Sequence, residues 1–388
     1  VVPRYSTHRQ EGDIVSVVAV LAILVCIPAL RLLHPSLVRP LDRRLDRTGF
    51  GPTALVCVLG ALLWLGISAA VPELAGSSLR WPVGALAALA VYLCSVAVRV
   101  IRARTVVLAL FCGVWCALVF VPAAALVFFP EVFGFTISSS AWDLGGAVPV
   151  HVAGGAAVLA VIRVHARRDA RAAYPTADRP PHRVLVGQGH PAVVLASAGL
   201  VLWAGWVAAL VGLDMAIDSV TPLIVRNGII VPLASMAGWL LLERVRTRRT
   251  TLFSAAGGLV SGLVAITPAG GSLGVAWALT LGLVVGLVCS ACALERDVNS
   301  RDADGHDGGE RDVGGTLRPG RYLVAVHLLA AVIGLLWVGL FGDGGGFVYT
   351  GQFSTVQVQL AVSVVVAVWS YIVATWLSAL LRLRHPPR

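Results

Sequence analysis

Two histidines, His151 and His327, lie within long apolar runs of a chain that places few polar side chains in such runs. A neutral imidazole carries one donor and one acceptor nitrogen, and it titrates near physiological pH. Ionisable groups inside a bilayer are costly, so they face a cavity, a partner or a water-lined path rather than lipid. Two imidazoles brought together there can share a proton while offering their outer nitrogens to a small polar molecule passing by. Asp143 precedes His151 by eight residues, about 12 Å along a helix that rises ~1.5 Å per residue. A carboxylate at that place can cap the helix and set a negative potential at the membrane edge. The chemistry these residues offer is the handling of a small polar species, with its proton, inside a membrane.

The elements that must position the rings are membrane spans. Hydrophobic residues make up 57% of the 388 residues and charged residues 13%, against about a quarter charged in soluble domains. Roughly eleven apolar stretches are long enough to cross a bilayer, which takes about 17–25 residues. They run over Ile14–Leu33, Pro52–Val71, Pro82–Val100, Val106–Phe129, Gly146–Val164, Ala192–Leu213, Ser219–Leu242, Leu252–Thr267, Leu273–Leu294, Tyr322–Phe341 and Val356–Leu381. The expected fold is therefore an all-α membrane protein of about eleven transmembrane helices, forming one domain over residues 1–388. His151 falls on the fifth stretch and His327 on the tenth. Two halves of five helices each, followed by a final helix, invert the second half relative to the first. That is the inverted-repeat plan, with its site at the repeat interface near midplane.

Charge sets the orientation. The formal net charge is +10, every basic residue is an arginine, and the arginines cluster in alternate connections: Arg39–Arg47, Arg99–Arg104, Arg163–Arg183, Arg244–Arg249, Arg296–Arg321 and Arg382–Arg388. The positive-inside rule then places the N-terminus outside and the C-terminus in the cytoplasm of a protein in the cell membrane. Residues 1–12 become an external segment, 295–321 a flexible cytoplasmic loop and 382–388 a short cytoplasmic tail. The cytoplasmic leaflet satisfies the arginines, so no nucleic-acid partner is expected. The tail leaves control by a soluble signalling protein doubtful. The chain opens Val1-Val2-Pro3-Arg4, which fits a removed leader or numbering that begins inside a longer product.

Other candidate chemistries are weaker. Cys26, Cys57, Cys94, Cys112, Cys116, Cys289 and Cys292 all fall within the apolar stretches, where a thiol packs as a small apolar group. Cys289 and Cys292 have metal-ligand spacing without a second Cys/His pair. Asp302-Ala-Asp-Gly305 starts like a calcium loop whose remaining ligand positions do not follow. A metalloenzyme would need a third ligand beside the two histidines, so neither an enzyme nor a metal or other cofactor is expected.

The run Asp143-Leu-Gly-Gly-Ala-Val-Pro-Val-His151-Val-Ala-Gly-Gly-Ala-Ala and the run Thr251-Leu-Phe-Ser-Ala-Ala-Gly-Gly-Leu-Val-Ser-Gly-Leu-Val-Ala-Ile-Thr-Pro-Ala-Gly-Gly271 resemble signatures of the ammonium transporter (Amt/Rhesus) family. Trp203-Ala-Gly-Trp206, Asn227 and Pro28-Ala-Leu-Arg-Leu-Leu-His-Pro-Ser-Leu-Val-Arg39 also fall where the family has similar residues. The resemblance covers nearly the whole chain. It implies a homotrimer with one pore per subunit, ammonium or ammonia as substrate, and His151 and His327 as the pore pair. It assigns Asp143, Phe128 and Trp206 to an outer vestibule that recruits the cation. Several family features are absent. Ala87 and Ala209 stand where relatives place a pair of gating phenylalanines, and Leu213 where they place a vestibule serine. Phe128 or Phe129 stands in for a vestibule tryptophan, Tyr322 for an aspartate, and Leu328 and Leu329 begin a stretch that is glycine-rich in relatives. The bulk of Leu328 and Leu329 is expected to narrow or reshape the path. Three readings stay open: a divergent ammonium transporter, a Rhesus-like channel for neutral ammonia or carbon dioxide, and a non-conducting ammonium sensor.

Overall fold

The computed structural model describes residues 5–34, 50–100, 104–134, 141–172, 192–294 and 319–381. These fold as eleven principal helices: α1 Tyr5–Leu33, α2 Phe50–Ala69, α3 Arg80–Val100, α4 Thr105–Phe128, α5 Val148–Ala172, α6 Ala192–Leu213, α7 Thr221–Thr247, α8 Leu252–Ile266, α9 Val275–Ala293, α10 Pro319–Phe341 and α11 Ser354–Leu380. The basic cluster Arg39–Arg47, most of the loop 295–321 and the tail 382–388 lie outside the described residues.

Nine of these helices are long and apolar enough to cross a membrane. The other two have shorter apolar spans, Val148–Val164 in α5 and Leu252–Ile266 in α8, within two residues of the expected Gly146–Val164 and Leu252–Thr267. Both are cut short on one side by backbone that cannot stay helical. Ahead of α5, Gly146 takes φ +73°, a left-handed conformation that glycine adopts without strain. After α8, Thr267 is still helical at φ −49° and ψ −47°, and the chain leaves the helix at Pro268, which has no amide to continue the hydrogen-bond ladder. Fifteen residues of helix cover only about 22 Å of a hydrocarbon core ~30 Å thick. The missing depth is made up by irregular backbone buried within the protein, the one setting in which such backbone is tolerated at that level. At their polar ends three helices outrun the expected boundaries. α1 begins at Tyr5 inside the expected external segment, α5 continues to Ala172 and α7 to Thr247. A helix does not end where the bilayer does when alanine and arginine continue the sequence.

α3 is enclosed on nearly all sides. α1 lies along α6, α7 packs between α8 and α9, and α5 meets α3, α10 and α11. The outward faces carry exposed apolar side chains in helical register, such as Ile14, Val18, Leu21 and Val25 on α1 and Val365, Val368 and Ile372 on α11. Faces of this extent on a soluble monomer would be aggregation sites; around a multi-pass membrane protein they meet lipid or another subunit. Within the bundle, α5 opens with a π-helical turn, Val148–Val152, and α10 contains another, Val324–Leu329. Each histidine is the fourth residue of its turn. Pro149 falls in the first turn of α5, where its missing amide costs no hydrogen bond. A third π-helical stretch, Cys116–Phe120, lies within α4. Such turns widen a helix locally and frequently mark functional sites.

Candidate pore site

Five rings form a file through the buried interior. Trp206 of α6 stacks on His151 with centroids 5.3 Å apart and planes 17° apart. His151 stacks on His327 at 5.3 Å and 7°. His327 meets His34, which follows α1, edge to face at 5.4 Å. His34 in turn stacks on Tyr92 of α3 at 5.8 Å and 7°. The three imidazoles are buried to 2% exposure or less. The structure therefore brings together the two histidines expected to pair.

It changes how they pair. No hydrogen bond joins His151 to His327; the rings lie face to face. The Nδ1 atoms of both rings are buried without a hydrogen-bond partner. Leaving a buried polar atom unsatisfied costs about 1–3 kcal/mol, so both rings retain unmet capacity for a small polar molecule. Beside His151 lies a pocket of about 20 Å³, room for one molecule the size of water or ammonia. His151, Trp206 and Thr267 supply its polar groups, while Leu86, Leu89, Ala209 and Leu213 form apolar wall.

One end of this pocket is built by the two recognisable motifs. Asp143 is buried and accepts from the amides of Ala147 (2.6 Å to Oδ1) and Val148 (2.8 Å to Oδ2), capping α5 with both oxygens. The amides of Leu144 and Gly145 donate to the carbonyls of Pro268 and Thr267. The Trp206 indole donates to Thr267 Oγ1, 3.0 Å away, and that hydroxyl donates to the Leu263 carbonyl. Asn227 Nδ2 holds the following turn through the carbonyls of Gly270 and Leu273. The turn before α5 and the turn after α8 thus lock each other.

Of the other expected site residues, Trp206 stacks on His151 and lines the pocket. Phe128 packs over Gly146, where an added Cβ would come within 3.0 Å of its ring, and it does not line the pocket. Phe129 stacks on Trp64. Of the two positions where relatives carry phenylalanine, Ala209 lines the pocket, whereas Ala87 is buried and does not line it. Tyr322 sits in an aromatic cluster with Trp239 and Phe253. Cys289 is buried and its thiol donates to the Ala325 carbonyl, whereas Cys292 is exposed.

Leu328 lays its backbone and Cβ against Gly155 of α5. A Cβ at Gly155 would lie 2.7 Å from the Leu328 amide nitrogen and 2.9 Å from its Cα. Gly155 is therefore what lets α5 and α10 approach closely enough to stack their histidines. Gly155→Ala is expected to push the two backbones apart and lower stability by about 1–3 kcal/mol. The melting temperature of the detergent-purified variant checks this, and an unshifted value would contradict the packing described.

His34 was visible as a residue but not as a site. It stands one position beyond the first apolar stretch and reads as a membrane-edge residue. Its signal was faint: a third histidine on a segment whose other end packs along the sixth helix.

Comparison with known proteins agrees with this architecture. The family model described as Ammonium Transporter Family matches residues 57–307. An ammonium transporter of Mycobacterium tuberculosis (strain H37Rv) is 31% identical over 294 residues, covering 70% of this chain and 55% of that protein. The ammonium transporter of Bacillus subtilis (strain 168) is 30% identical over 182 residues, covering 46% of this chain and 41% of that protein. The chain thus spans about half the length of the curated relatives it matches. The fold is similar to the crystal structure of Candida albicans Mep2, with a TM-score of 0.76 at 20% identity over 98% of this chain and 86% of that one. It is also similar to a structure described as a sensor Amt protein, with a TM-score of 0.70 at 14% identity, covering 97% of this chain and 95% of that one.

Proposed function

This chain belongs to the ammonium transporter family, and from that premise we propose that each subunit conducts ammonium or ammonia past the stacked rings of His151 and His327. The observation that carries this reading is the stacked pair of buried imidazoles, each with an unpartnered Nδ1, of which His151 lines a pocket sized for one small polar molecule. Moving such a molecule through an apolar interior requires replacing the hydrogen bonds it loses from water. A neutral imidazole both donates and accepts, so two of them in sequence supply partners without adding charge. Trp206 fixes the first ring by stacking and is itself fixed by Thr267. Asp143 fixes the start of α5 by accepting the amides of Ala147 and Val148.

The arginine distribution supports a plasma-membrane protein with its N-terminus outside and C-terminus in the cytoplasm. A homotrimer with one pore per subunit is the assembly we propose for it, supported by the family resemblance. A second reading, passage of the neutral gas without its proton, is favoured by one feature: apart from His151, Trp206, Thr267 and Cys26, the pocket wall is apolar. The test of the main reading is uptake of labelled methylammonium into liposomes containing the purified protein. Uptake above that of empty liposomes, suppressed by added ammonium, is expected. Uptake equal to that of empty liposomes would overturn it.

A further inference from the structure

The file of rings continues beyond the pair. His34 Nε2 lies 3.4 Å from His327 Nε2, and His34 Nδ1 lies 3.1 Å from the Tyr92 hydroxyl. His34 and Tyr92 are each 2% exposed, and His327 is 1% exposed. His34 is thus bonded at both ring nitrogens, each time to a group able to donate and to accept. That arrangement lets an imidazole take a proton at one nitrogen and release one from the other. His151 differs, since it stacks between Trp206 and His327 with its Nδ1 unpartnered.

We propose that His34 is a third working histidine of this pore, passing a proton from His327 to Tyr92 while ammonia moves separately along the rings. The inference rests on the transport reading above. In the proton's path, an N–H bond of ammonium breaks as an N–H bond forms at His327 Nδ1, leaving ammonia. The His327 Nε2–H bond breaks as its proton bonds to His34 Nε2. The His34 Nδ1–H bond breaks as its proton bonds to the Tyr92 oxygen, whose own phenolic proton passes to a water molecule that the relay requires beside this buried hydroxyl. One positive charge has moved from ammonium to solvent, with nothing oxidised or reduced. Return of both rings to their starting tautomers completes the cycle.

The experiment uses the full chain in liposomes, with current and lumenal pH recorded together after an ammonium pulse. The wild type is expected to pass current with little pH change beyond that of empty liposomes, since proton and ammonia arrive together. His34→Gln keeps a side chain that hydrogen-bonds but cannot relay a proton. It is expected to lower the current about tenfold or more while the lumen now alkalinises faster than in empty liposomes. Tyr92→Phe, which leaves the histidines untouched, is expected to shift both signals the same way. Unchanged current in both variants overturns the proposal. So does parallel loss of current and ammonia entry, which is what damage to the pore would give. Wild-type alkalinisation without current overturns the relay but leaves transport standing. No wild-type response above empty liposomes overturns both.

Discussion

Replacing His151 or His327 with alanine is expected to reduce ammonium-driven current to the level of empty liposomes. Each ring offers an unpartnered Nδ1 in a dry interior, and each unmet hydrogen bond there raises the barrier by about 1–3 kcal/mol, a factor of roughly 5–150 in rate. The two substitutions also do more than remove one contact each. His151→Ala takes away the surface on which Trp206 stacks, and His327→Ala breaks the stack on one side and the contact with His34 on the other. Neither ring caps a helix or bonds to backbone, so the bundle is expected to assemble in both variants, and their melting temperatures check this. Undiminished current in both single variants would remove the histidines from the path.

Asp143→Ala is expected to be the most damaging single change at the start of α5. Both carboxylate oxygens accept backbone amides of the first turn of α5, and hydrogen bonds to a charged acceptor contribute about 1.5–3 kcal/mol each. Losing them leaves buried amides unsatisfied at the start of the helix that carries His151. It also loosens the adjoining turn, whose amides at Leu144 and Gly145 hold the segment after α8. A fall of about 2–4 kcal/mol in stability is expected, together with loss of methylammonium uptake. Asp143→Asn keeps one acceptor oxygen and is expected to fall between the wild type and Asp143→Ala in stability. If Asp143→Ala melts and transports like the wild type, the cap is not what positions His151.

What the sequence made legible follows from the length scale of each signal. Apolar runs of about 20 residues are dictated by bilayer thickness, so most helices could be placed from residue type alone. The cause of the shortness of α5 and α8 was not legible that way. It lies in Gly146 adopting a left-handed conformation and in two turns locking each other across 120 residues of chain, neither of which hydropathy senses. The pairing of His151 with His327 was legible from their places on the fifth and tenth helices, because inversion of a five-helix half brings those helices together. Their stacked geometry was not, since it depends on two π-helical turns and on the close approach at Gly155. His34 escaped for a related reason. It lies at the end of α1, and only the three-dimensional course of α1 along α6 carries it to His327. Trp206 was assigned its role by resemblance, and its stacking on His151 was not legible from the sequence.

The central claim is that the substrate passes in contact with the His151 and His327 rings. A structure of the protein determined in saturating methylammonium tests it most directly. The account predicts a bound molecule beside the stacked rings, with a nitrogen about 3 Å from the Nδ1 of one of them. Methylammonium bound elsewhere, with both rings uncontacted, would contradict it.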